Sequence, residues 1–342
     1  MGLLDWLRGR GRGATGGPDD AAVHDAIERV MQTTNPRLRL VRHYEQRLAP
    51  AAEAAMRHIA DVVAAVPPAR QASAAGWSAD PYMRAFFATA DDLKRTFSRA
   101  NDLRAHFDKN PDDTEAYVVL SMEMSERRMA GMALHGDVVH RDVPQTALIF
   151  GDYRLRVCGR TEDDLREEIG RRLIDQLALE GLARAAADKT QRALMEQERA
   201  LLKARLQLLE RQGAGMRSML GGDGVTEQSE AARLQAQLDE NTHNLDSLGV
   251  GAESLDREFE RIREALVDAG QLFCLSPRRL RLDRMNVVQG DDSAGAGDTL
   301  DLQTVRVPGD PPLTRTVALT RFARADLLPA GLMFDEAARL LL

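Results

Sequence analysis

Residues 231–269 read AARLQAQLDENTHNLDSLGVGAESLDREFERIREALVDA, and this stretch decides the architecture. Taken at alternating steps of three and four, it presents Ala231, Leu234, Leu238, Asn241, Leu245, Leu248, Ala252, Leu255, Phe259, Ile262, Leu266 and Ala269. Eleven of these twelve positions are apolar, in one register over more than five heptads. That pattern is a coiled-coil seam. Asn241 is its polar member, and such a residue sets register or partner at some cost in stability. Gly249 and Gly251 interrupt the run, each costing a helix about 1 kcal/mol relative to Ala. The register passes through both in phase, so the expectation is one continuous or slightly kinked helix starting near Thr226.

Outward from the seam, toward the N-terminus, a second long helical pattern starts at Thr161 and runs to about Gln212. Thr161 and Asp164 spell a capping box, and Glu162 and Asp163 complement the helix dipole. Leu194, Leu201 and Leu208 stand seven apart, with Met195, Leu202 and Leu209 beside them. The simplest arrangement folds the two helices back at residues 213–225 as an antiparallel hairpin, residues 161–270, with arms of about 65 Å.

β-rich segments flank this hairpin. Before it lies VVHRDVPQTALIFGDYRLRVCG, residues 138–159, with two short strands and a two-residue turn expected at Gly151-Asp152. After it come an alternating run at Leu280 and Leu282, the strand LDLQTVRV, the turn PGDPP, the strand RTVALTRF and a closing helix DEAARLLL. Residues 137–160 and 271–342 are therefore expected to form one composite β domain. An antiparallel hairpin brings its two feet together, which would place Cys158 near Cys274. Both read as small buried hydrophobes rather than a redox pair.

Residues 21–136 are expected to form an N-terminal helical bundle, in which Pro36 opens a helix, Pro50 breaks or kinks it, and Pro67-Pro68 and Asn110-Pro111 end later ones. Its last helix would be TEAYVVLSMEMSERRMAGMALHG, with Val118, Met122, Ser125, Met129 and Met132 on one stripe. Residues 1–20 form an amphipathic tip, Leu3, Leu4, Trp6 and Leu7, followed by arginines and a Gly-rich linker. Such a tip suits a partner or weak contact with an anionic membrane. The fold expected is thus mainly α with a small β domain: an N-terminal helical bundle, then a small antiparallel β domain interrupted by a long antiparallel coiled-coil hairpin.

Composition narrows the function. Aromatics are 4% and charged residues 29% of 342 residues, the profile of long helices. A net charge of −7 argues against a general nucleic-acid binder. No apolar run approaches the ~20 residues that span a bilayer. His140-Arg141-Asp142 spells the catalytic-loop tripeptide of protein kinases, but the other parts fail. Ala147 stands where a magnesium-binding Asn belongs, and Val157-Cys158-Gly159 replaces D-F-G. The methionines Met122, Met124, Met129 and Met132 read as core filler, not a soft-metal site. Arg278, Arg279, Arg281 and Arg284 lie in a region, residues 271–342, that balances nine Arg with nine acidic residues. The expectation is a cytoplasmic, non-enzymatic scaffold or adaptor without cofactor or metal, acting through a protein partner or self-association along the coiled coil. Peripheral attachment at the inner membrane face through the tip is part of that expectation. The alternative is a regulatory or ligand-binding protein with a site near His135, His140 and Arg141.

Overall fold

The computed structural model describes residues 20–135, 138–220, 225–247, 254–289, 297–307 and 313–329. Helices predominate, and they accompany one six-stranded, mainly antiparallel sheet. Two hydrophobic cores divide the molecule. The tip residues Leu3, Leu4, Trp6 and Leu7, the turn PGDPP and the closing DEAARLLL lie outside the described residues.

The first core is helical. It draws on α1 (Asp20–Thr33), a 3₁₀ turn at Pro36–Leu40 and α2 (Tyr44–Ala65). These pack on the first part of α7 (Glu162–Leu220) and on α9 (Ser254–Val267) and α10 (Ala269–Leu272). Asn35 caps the 3₁₀ turn, its side chain accepting from the Arg37 N–H at 3.0 Å. α2 runs through Pro50 without a break. The proline removes one backbone bond early in the helix, and the buried face Ala51, Ala52, Ala55, Met56 and Ile59 outweighs that loss.

The second core joins the sheet to four short helices: α3 (Ala74–Ala79), α4 (Pro81–Phe86), α5 (Ala90–Ser98) and α6 (Asn101–Lys109). Their Phe86, Phe87, Phe97 and Phe107 are buried against Val118, Leu120, Leu155, Leu302 and Phe322 of the strands. The bundle expected over residues 21–136 is therefore split between two cores.

The strands are β1 (Arg70–Gln71), β2 (Glu115–His135), β3 (Val138–Gly159), β4 (Cys274–Leu282), β5 (Asp298–Val307) and β6 (Leu313–Ala323). They lie in the order β3-β2-β6-β5-β4, with β1 parallel to the end of β6. The strands before and after the long helices thus share one sheet. Beyond Leu282 the chain turns with Asn286 in the left-handed region, φ 60°. Val288 then bridges Leu282, and Val287 bridges Ala147 of β3. The Leu148 N–H donates to the Asn286 carbonyl at 2.9 Å, so the sheet curls until its two edges are linked.

Two expectations fail here. Residues 115–135 form a strand, not the last helix of a bundle. Ala116, Val118, Leu120 and Met122 alternate and are wholly buried, and this two-residue period outcompetes the stripe read at helical spacing. Ser125 and Met129, members of that stripe, are exposed. Nor do Gly151-Asp152 form a hairpin turn. They sit on a bulge inside the continuous β3, where pairing steps from Glu123↔Gly151 to Ser121↔Arg154. Asp152 takes φ 45° there, and the buried Arg315 guanidinium donates to its backbone and carboxylate oxygens. The pairing of β2 with β3 runs instead to His135↔Val138.

Candidate functional site

α7 is 59 residues long, about 88 Å. Its first half belongs to the helical core, and its second half projects beyond it beside α8 (Val225–Ser247). Polar pairs mark the course of the chain. Arg184 bonds Asp268 at 3.0 Å, Asp188 bonds Arg261 at 2.6 Å, Lys189 bonds Glu258 at 2.8 Å, and Arg205 bonds Glu230 at 3.0 Å. The falling partner numbers show the later helices running antiparallel to α7.

The seam residues turn toward α7. Leu234, Asn241, Leu245, Phe259, Ile262 and Leu266 are buried, and Leu238 and Leu255 half-buried. Leu248, Gly249 and Gly251 lie outside the described residues, between α8 ending at Ser247 and α9 starting at Ser254. Asn241 donates to a Glu198 carboxylate oxygen at 3.1 Å, while its own side-chain oxygen is buried without a partner. Glu258 is a buried carboxylate where α9 meets α7. Burial raises its carboxyl pKa, but hydrogen bonds from Lys189 and Asn35 outweigh that and hold it below the usual value.

On α7 the structure separates residues that the sequence groups together. Met195, Leu202, Leu206 and Leu209 are half-buried toward α8. Leu194, Leu201 and Leu208 face away and are 62%, 70% and 57% exposed. Around them, the positions opposite the seam are Ala183, Ala186, Ala187, Thr190, Ala193, Gln197, Ala200, Ala204 and Gln207, all exposed. None of these twelve is charged, although 29% of the chain is. The result is an uncharged strip about 38 Å long on a solvent-facing helix. The sequence signal was the seven-residue leucine spacing, and what it lacked was the direction of α8.

Two of the concavities among the described residues lie away from this strip. One, about 720 Å³, opens between α3–α4, β3 and the turn after β4. Trp77, Phe86, Phe150 and Tyr153 form its walls, with Arg84 and Arg284 also lining it. The indole N–H and the phenol O–H are spent on backbone carbonyls of Phe87 and Phe86. The other, about 270 Å³, is lined by His106, Cys158, Arg160, Asp164 and Arg171 among others. Burial pushes the Cys158 thiol up to about 12, which keeps it protonated and unreactive. Cys274 sits on β4, with β5, β6 and β2 between it and the Cys158 strand, and both thiols are free. The expected proximity of the two cysteines fails because the feet of the arm are staggered. Asp268 meets α7 at Arg184, about 33 Å along from its start.

The backbones of His135, His140 and Arg141 lie in the β2–β3 ribbon, with Ala133 opposite His140 and His135 opposite Val138. Their side chains are outside the described residues. Arg279 pairs with Asp301 at 2.6 Å and Arg278 with Glu126, so these arginines meet local carboxylates. Among the described residues no cluster of His, Cys, Asp and Glu could hold a metal ion, and no helix is long and apolar enough to cross a membrane. Comparison with family models, characterised proteins and solved structures finds none that matches the chain.

Proposed function

We propose that this protein is a non-enzymatic scaffold. In this reading α7 and α8 work as an antiparallel coiled-coil hairpin that projects a protein-binding surface from a two-core base. The observation that carries it is the uncharged outward strip of α7 between Ala183 and Leu208. An exposed, extended apolar face of this kind marks an interaction site. The helix-in-groove and helix-pairing modes both read leucines at this spacing. The seam through Leu234, Leu238, Asn241, Leu245, Leu248, Leu255, Phe259, Ile262 and Leu266 supplies the rigidity, and the N-terminal tip adds a peripheral membrane contact. The test is cross-linking of the full chain in cells, comparing the native protein with Leu201→Glu. The variant is expected to lose its cross-linked species while keeping its helical circular dichroism. Unchanged cross-linking would remove the reading.

A second reading, a ligand-responsive regulator, draws on the cavity of about 720 Å³ between the short helices and the sheet. Its aromatic walls and two arginines suit a flat apolar molecule with an anionic end. Thermal shift with aromatic carboxylates separates the two readings. Stabilisation that disappears in Trp77→Ala favours the regulator.

A further inference from the structure

We infer that the occupant of the α7 strip is a second copy of this chain, packed antiparallel about a two-fold axis at Leu201. The inference rests on the scaffold reading and adds the partner and the register. An isologous pair places residue i opposite j and j opposite i. With the axis at Leu201, Leu201 meets its own copy, and Leu194 of each chain meets Leu208 of the other.

Charge decides the direction and the register. The strip itself is uncharged, so the nearest ionised groups on the flank toward α8 are Glu198 and Arg205. In an antiparallel pair that flank faces its own equivalent, and the Leu201 axis sets Glu198 of each copy against Arg205 of the other. Two opposite-charge pairs form by symmetry. A parallel pair would put this flank against the opposite edge of the strip, Ala193, Ala200 and Gln207, which offers no charge partner. Within one chain Glu198 already accepts from Asn241, and Arg205 donates to Glu230. Both side chains are therefore held at the edge of the strip, where a second copy would reach them. Alanines at 193, 200 and 204 keep the face low, so that two helices approach closely.

The area sets the strength. Covering the strip on both copies buries on the order of 1,000 Å², the lower limit for a specific interface. A reversible dimer in the micromolar range is expected rather than an obligate one.

The experiment is sedimentation equilibrium of the full chain up to about 100 μM, well above that range. The native chain is expected to dimerise reversibly. E198R and R205E should each weaken dimerisation roughly tenfold or more, because each variant alone opposes like charges. An equimolar mixture of the two should restore it, because the hybrid pair again opposes unlike charges. Register is read separately in a Cys274→Ser background. On oxidation Leu201→Cys should link to itself. Leu194→Cys should link only when mixed with Leu208→Cys. A strict monomer overturns the inference, as does Leu194→Cys linking to itself as readily as Leu201→Cys. A strict monomer whose Leu201→Glu variant still loses its cellular cross-link leaves the scaffold reading standing with a different partner. A monomer whose Leu201→Glu variant loses nothing removes both.

Discussion

His106 is a buried base in a mostly ionic neighbourhood. Its Nε2 lies 3.3 Å from an Asp113 carboxylate oxygen, yet the geometry falls short of a hydrogen bond. Burial lowers its pKa, and the attraction of Asp113 only partly offsets this. The unfolded chain, with an ordinary imidazole near ~6.5, then takes up the proton first. The His106 contribution is present above that value and is lost as pH falls through the lower folded pKa. Denaturant titrations are expected to give falling stability from pH 7.5 toward 5.5, with a shallower slope in His106→Gln. An equal slope in both proteins would show that other groups govern the acid limb. The cysteines offer a second check at this scale. Cys274 is exposed and Cys158 largely buried, with its thiol pKa pushed up to about 12. A thiol reagent on the native protein should modify Cys274 alone, and both after unfolding. The sequence reads both cysteines as buried, and the exposed Cys274 overturns that, because burial belongs to the fold and not to the residue.

At the scale of elements, the long helices were legible and their contacts were not. Thr161 caps α7 as the sequence indicates, its hydroxyl accepting from the Asp164 N–H at 3.1 Å. Gly181, in the middle of the same helix, had no evident reason in the sequence. A Cβ there would come within 2.5 Å of the Ile262 Cα, so the glycine lets α7 and α9 touch backbone to backbone. Gly181→Ala should cost about 2 kcal/mol in a denaturant titration, since the obstacle is main chain and cannot rotate away. Asn241 works in the other sense. Its unsatisfied buried oxygen weakens the seam, so Asn241→Leu should raise stability by about 1 kcal/mol, read as a higher denaturation midpoint. The misread element is β2. Its residues satisfy both periods for several positions, and only the facing strands β3 and β6 make alternate burial the lower free energy.

At the scale of the molecule, stability is uneven. Among the described residues, the helical core and the sheet core hold almost all the fully buried side chains, while residues 193–211 of α7 have one helical neighbour and an exposed outer face. Amide exchange should therefore be slowest in α2, α9 and β6 and faster by orders of magnitude around residues 195–210. If the α7 strip dimerises, that exchange should slow as concentration rises. Uniform protection at every concentration would contradict the description of an arm.

The sequence by itself determined the long helices, the apolar stripe carried by α8 and α9, and the strands after it. These are local periodicities of 3.6 and 2, written in the chain whatever surrounds it. Only the tertiary structure decided the rest. Residues 115–135 become a strand because their neighbours in space are strands, and the two cysteines part because the feet of the arm are staggered. Leu194, Leu201 and Leu208 are left outside because the one partner helix lies against the other face. Each of these depends on which residues distant in the chain come together, and no local period records that.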